Sequence, residues 1–160
     1  VWPWIYEGGG NREVLSWDPY EVKVSTGMGR SEIQNQFPDF TVDEAITDKG
    51  WYFLTETEPK SHLIYRTFRV IEYLIDEFGE TDEKIALVSH GGFHQHFLHA
   101  ILRCTPQPNN WFCCENTAIT AVGYHKDRIY PSKNKMWFIY SINRCEWLTD
   151  DLKRNWAKSP

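Results

Sequence analysis

The sequence predicts an α/β fold, specifically a three-layer α/β/α domain with a mixed, mostly parallel sheet that is incomplete at its N-terminal side. Three observations lead there. Ile85-Ala86-Leu87-Val88 is a short, continuously apolar run, as in a strand buried on both faces of a parallel sheet. Helical periodicity flanks that run on both sides, over about residues 61–78 and 92–103. Two more strand-like stretches follow, near 117–124 and 136–143, and this succession of strands and helices indicates layered α/β packing.

The elements follow in order. Residues 1–10 read as a short apolar strand entering a glycine turn, Glu7-Gly8-Gly9-Gly10. Residues 11–30 are polar and glycine-punctuated, so a loop is expected. Ser31-Glu32-Ile33-Gln34 has capping-box spacing and predicts a short helix that Pro38 ends. Thr41-Val42-Asp43-Glu44 repeats that spacing and predicts another helical piece, stopped at Gly50. In 61–78, Ile64, Phe68, Ile71, Leu74, Ile75 and Phe78 form the apolar stripe, Arg66, Arg69, Glu72 and Asp76 the polar one, and Gly79 the stop. The helix from Gly92 to Arg103 carries Phe93, Phe97, Leu98, Ile101 and Leu102 on its apolar side. The turn-rich stretch from Lys126 to Lys135 predicts a hairpin-like connection between the late strands, and a short amphipathic helix is expected from about Glu146. With no linker or repeat, residues 1–160 form one domain. The chain opens on Val1 within an aromatic, strand-like run, without a methionine, and is expected to be truncated at its N-terminus.

Composition narrows the function classes. A net charge of −5, with acidic and basic residues interleaved, argues against a nucleic-acid partner, which needs a basic stripe. It leaves room for an anionic small molecule, because a pocket's field is local. No apolar run approaches the roughly 20 residues of a membrane span, so no membrane partner is expected. The four cysteines, Cys104, Cys113, Cys114 and Cys145, fit neither a zinc-finger spacing nor a disulfide framework, and free thiols in a reducing cytoplasm are expected. Nothing in the sequence fixes the oligomeric state.

The chemistry concentrates in Ile85–Leu102. A buried strand ends on His90, Gly91 and Gly92 follow, and a helix begins. Ligands of open α/β sheets bind at strand carboxyl ends, and a helix N-terminus offers free N–H groups to an anion. The glycines let backbone approach that anion closely. A histidine closing a strand also occurs as a purely structural residue, but its place ahead of two glycines and a helix favours function.

Ile85-Ala86-Leu87-Val88-Ser89-His90-Gly91-Gly92-Phe93 resembles the second histidine motif of the histidine phosphatase superfamily, in its phosphoglycerate-mutase-like branch. Other stretches resemble the same branch in order: Glu7-Gly8-Gly9; Gly29-Arg30-Ser31-Glu32-Ile33 with Phe37-Pro38; Gly50-Trp51; Glu56 and the helix with Arg66; Asn116-Thr117-Ala118-Ile119-Thr120; and Ser141-Ile142-Asn143-Arg144. The order carries more weight than Ser-His-Gly-Gly, which is a short pattern.

The resemblance implies phosphoryl transfer through a phosphohistidine on a phosphorylated small-molecule substrate, with neither cofactor nor metal. In such a family a histidine of an Arg-His-Gly motif attacks phosphorus, arginines and a second histidine hold the phosphoryl oxygens, and a carboxylic acid protonates the leaving oxygen. His90 matches the second histidine. Glu7 matches the acid, a role in which burial or a neighbouring phosphate must favour the protonated carboxyl. Gly91, Gly92 and Asn116 fall in the phosphate and substrate site. Glu13 is a weaker candidate acid, Asn116 also fits a plain turn-capping role, and Glu7 that of a solvated turn carboxylate.

No Arg-His-Gly occurs in the 160 residues. The family motif precedes the glutamate segment, so the nucleophile belongs to a full-length parent, and the chain alone is expected to be inactive. Two other classes compete. One is a phosphate-binding or interaction protein without the nucleophile. The other is a metal-dependent hydrolase built on His90, His94, His96 and His99, which lacks a His-Glu-x-x-His motif and an obvious third ligand.

Overall fold

The structure, a computed structural model, describes residues 1–105, 110–126 and 135–153. Its elements run β1 (Arg12–Trp17), β2 (Tyr20–Val24), α1 (Arg30–Gln36), α2 (Lys60–Phe78), α3 (Gly91–Ile101), β3 (Ile119–Lys126) and β4 (Lys135–Arg144).

The main core forms where α2 crosses α3. Leu63, Val70 and Ile71 of α2 meet Phe93, Phe97, Leu98 and Ile101 of α3, and Val122, Trp137, Ile139 and Ile142 of β3 and β4 pack over them. The buried face of α2 is rotated from the expected one. Leu63, Arg66, Thr67, Val70 and Ile71 are buried, whereas Phe68 is exposed. Arg66 was expected on the polar face; it lies inside because Glu58 and backbone carbonyls satisfy its guanidinium. Gly79 ends α2 as expected, with helical rather than left-handed dihedrals. Leu102, expected on the apolar side of α3, lies just past its end and is exposed, while Gln95 and His99 within the helix are buried. Gln95 spans to the backbone of Phe112, which satisfies its buried amide.

The late hairpin agrees with expectation. β3 and β4 pair antiparallel, with Val122 opposite Ile139 and Tyr124 opposite Trp137. The predicted turn between them lies, over 127–134, outside the described residues. From Glu146 to Lys153 the chain makes turns rather than a helix, and 154–160 lie outside the described residues.

Other expectations need correction. Residues 11–30 contain the hairpin of β1 and β2 rather than a loop. Val14, Ser16, Val22 and Val24 are half-buried among exposed neighbours, a period of two masked by the polar composition. Residues 1–10 form turns, not a strand. Ser31 does not cap α1: Gly29 is the N-cap, and the Ser31 N–H instead donates to Asp48 Oδ1 at 2.9 Å. Residues 41–50 form turns, with Asp43 Oδ1 accepting from the Ala45 N–H at 2.8 Å. Gly50, at φ 107°, supports a bridge to Thr47 there. Ile33, Val42 and Ile46 form a second, smaller core against Met28 and Trp51.

The largest correction concerns the sheet. The helix and strand content fits an α/β fold, but the described strands form two separate two-stranded antiparallel sheets, not a mostly parallel one. Ile85–Val88 is not laddered to any strand among the described residues, and His90 therefore does not end a central strand. A strand exists only where a neighbour pairs its backbone groups. Without one, Ile85 is 44% and Val88 90% exposed. No helix among the described residues is long and apolar enough to cross a membrane.

Candidate functional site

The corner around His90 is built by two chain segments lying side by side. Ser89 Oγ donates to the Ile5 carbonyl, and the Gly92 N–H donates to Glu7 Oε1 at 2.8 Å. The same carboxylate oxygen accepts the Gly8 N–H at 2.6 Å. Glu7 thus sits on the N-terminus of α3, where unpaired N–H groups and the helix dipole favour negative charge. Glu7 thereby meets Gly92, two residues after His90 in the chain.

His90 is the N-cap of α3, with extended dihedrals and no capping hydrogen bond from its side chain. It is exposed beside the glycines rather than packed in an apolar core. The two glycines differ. A Cβ on Gly91 would meet nothing within 4 Å, so open space adjoins the backbone there. A Cβ on Gly92 would lie 2.3 Å from Glu7 Oε1, so the approach of Glu7 requires glycine. The turn that presents Glu7 closes through the Gly10 N–H to the Glu7 carbonyl at 3.2 Å. Gly10 stands at φ 85°, against the Tyr52 ring.

Behind this turn lies a network that sequence reading missed. Arg66 is fully buried, and its Nε and Nη2 hold Glu58 Oε1 and Oε2 at 2.7 and 3.0 Å. Tyr6 Oη donates to Glu58 Oε1 at 2.8 Å, and His62 Nδ1 is also 2.8 Å from that oxygen. Burial opposes the Glu58 charge, but the hydrogen bonds from Arg66, His62 and Tyr6 outweigh it and hold the carboxyl below its ordinary range. Burial and the bond to Glu58 push the Tyr6 phenol well up. The available signal was the eight-residue interval from Glu58 to Arg66 across a helix start, which is not specific by itself.

Asn116 lies exposed in the turn before β3, outside the hydrogen bonds that join Glu7 to α3. Its neighbours are tied to α3 less directly. The Glu115 N–H donates to Asn143 Oδ1 at 2.7 Å, the Asn143 N–H to Thr120 Oγ1 at 3.3 Å, and that oxygen is 2.9 Å from His94 Nε2. Glu13 is exposed on β1.

The α3 histidines are committed separately. His94 faces Thr120, His96 Nδ1 is 2.9 Å from the Gly92 carbonyl, and His99 Nδ1 is 2.7 Å from the Gln95 carbonyl. Among the described residues no three histidine, cysteine or acidic side chains converge as metal ligands.

The corner therefore brings together an exposed imidazole at His90, open space beside the Gly91 backbone and the Glu7 carboxylate held by the Gly8 and Gly92 N–H groups. The family model of the histidine phosphatase superfamily (branch 1) matches residues 20–134, a span that includes His90, Gly91, Gly92 and Asn116 and leaves Glu7 outside. No curated protein and no solved structure matches the chain.

Proposed function

The chain belongs to the histidine phosphatase superfamily, and from that premise we propose that it contributes His90 and Glu7 to phosphomonoester hydrolysis or phosphoryl transfer through a phosphohistidine. The nucleophile comes from an Arg-His-Gly segment of a full-length parent, a motif that the 160 residues do not contain. The observation that carries this reading is the Glu7 carboxylate seated on the Gly92 N–H, next to His90 and the open space at Gly91.

The proposed steps balance as follows. The upstream histidine attacks phosphorus and forms the P–N bond as the ester P–O bond breaks. Glu7, in its protonated form, gives its proton to the leaving oxygen. Water then attacks phosphorus, Glu7 takes a proton from it, and the P–N bond breaks to release phosphate. In a mutase, a second hydroxyl takes the place of water. His90 and the α3 N–H groups stabilise charge on the phosphoryl oxygens. A dianionic phosphoryl group beside Glu7 favours the neutral carboxyl, so substrate arrival itself prepares the acid. The substrate is a phosphorylated small molecule, Asn116 belongs to its rim, and the setting is cytoplasmic, in keeping with the free cysteines.

The absence of Arg-His-Gly from the 160 residues favours one second reading, a phosphate-binding protein without turnover. The test is an assay of the parent with an alkyl phosphate and with p-nitrophenyl phosphate. Glu7→Gln is expected to lower kcat about 10²–10⁴-fold for the alkyl ester, whose alkoxide needs a proton, and less for the nitrophenyl ester. His90→Ala is expected to slow both. Equal activity of Glu7→Gln and wild type on the alkyl ester removes Glu7 from the mechanism.

A further inference from the structure

We infer that Arg66, held by Glu58, is a positioning residue that sets the carboxylate of Glu7 on the N-terminus of α3; this rests on the reading of Glu7 as the acid. Arg66 Nη1 donates to the Trp4 carbonyl at 2.8 Å, and Nη2 donates to the carbonyls of Tyr6 and Glu7 at 2.9 and 3.1 Å. One guanidinium therefore fixes the backbone on both sides of Ile5 and at Glu7 itself. The Glu58 N–H donates to the Gly9 carbonyl at 3.1 Å, so the far side of the glycine turn is held by the same pair. The guanidinium carbon stands 3.6 Å from the Tyr6 ring centre and 5.2 Å from that of Phe93 in the first turn of α3. It thus links the segment presenting Glu7 to the helix end receiving it.

The chemistry requires arginine. A planar fork with five N–H donors serves a carboxylate and several carbonyls at fixed angles, whereas a lysine ammonium is a point charge with three donors. A buried ion pair adds little to stability compared with well-packed apolar side chains, so stability alone does not account for it. Its geometry instead specifies where the Glu7 backbone lies.

The experiment uses the 160-residue chain and reads backbone amides by NMR. The Gly92 amide, which donates to Glu7, is expected to move in Glu7→Ala, which removes its acceptor. Arg66→Lys, and the double variant Arg66→Met with Glu58→Met that leaves no buried charge unpaired, are expected to move the Gly92 amide in the same direction while the Ala121 and Ile139 amides of the distant hairpin keep their positions. A Gly92 amide at its wild-type position in both variants overturns the proposal. So does general collapse of the hairpin amides in both, which makes the role of Arg66 purely structural. Turnover of Glu7→Gln in the parent tests the catalytic reading separately, since Arg66 can position a carboxylate that proves not to be an acid.

Discussion

Gly91 and Gly92 occupy adjacent positions under opposite constraints. A methyl group on Gly92 would collide with Glu7 Oε1, whereas one on Gly91 would enter open space. Gly92→Ala is expected to push Glu7 off the helix end and lower stability by about 1–2 kcal/mol through loss of a charge-assisted hydrogen bond. Gly91→Ala is expected to leave stability unchanged or raise it by up to about 1 kcal/mol, because alanine narrows the unfolded ensemble. Chemical denaturation of the two variants checks both. The sequence displayed two glycines at a helix start but not which of them faced the carboxylate, because Glu7 reaches Gly92 from 85 positions away.

His94 and Glu58 contribute to the acid response from inside the fold. Burial lowers the His94 pKa from its ordinary value of 6.5. Between the folded value and 6.5 the unfolded chain binds the extra proton, so this contribution is complete above 6.5 and declines as pH falls below it. Glu58 is held below its ordinary 4.5, so its contribution is complete above 4.5 and is lost as pH falls through the lower folded value. Thermal midpoints are therefore expected to fall in two acid stages. His94→Gln should remove the upper stage and spare the lower. A midpoint independent of pH between 7 and 5 in wild type counts against a half-buried, neutral His94.

Among the elements, α2 and α3 were the most legible, since both have the expected period and nearly the expected ends. The orientation of α2 was not, because a periodicity count treats arginine as polar and cannot see that Glu58 and the carbonyls of residues 4, 6 and 7 await it. Leu98, fully buried between the helices and the late hairpin, is expected to lose about 2–5 kcal/mol on substitution by alanine. Phe68→Ala, at a position wrongly read as core and 49% exposed, is expected to cost no more than about 0.5 kcal/mol. Urea midpoints compare the two. A larger loss at Phe68 than at Leu98 contradicts the observed orientation of α2. The hairpin of β1 and β2 escaped notice for a related reason: its inward face is only half-buried, so selection for apolar residues there is weak.

For the whole molecule, the apolar run Ile85–Val88 was incorrectly seated in a sheet. Its composition fits a strand covered on both faces, yet Val88 is 90% exposed and no described strand pairs with it. An extended segment with free backbone donors, acceptors and apolar side chains is a template for pairing. Three consequences are expected for the 160-residue chain. Amides of 85–88 should exchange faster than those of α3, since no ladder protects them. The chain should associate with rising concentration, and Val88→Lys should weaken that association, as a charge on an edge does. Turnover on an aryl phosphate should be negligible, because the 160 residues contain no Arg-His-Gly to supply the nucleophile. A longer chain carrying a strand with Arg-His-Gly upstream of Val1 is expected to reverse all three: exchange at 85–88 slows, association weakens, and metal-independent activity appears that depends on both the added histidine and His90. Hydrogen exchange, sedimentation and an aryl phosphate assay read these changes on the same two proteins. Activity without protection of 85–88 would detach catalysis from strand pairing. Robust metal-independent turnover by the 160 residues themselves would falsify the division of labour proposed here, and would place the nucleophile among residues already in hand.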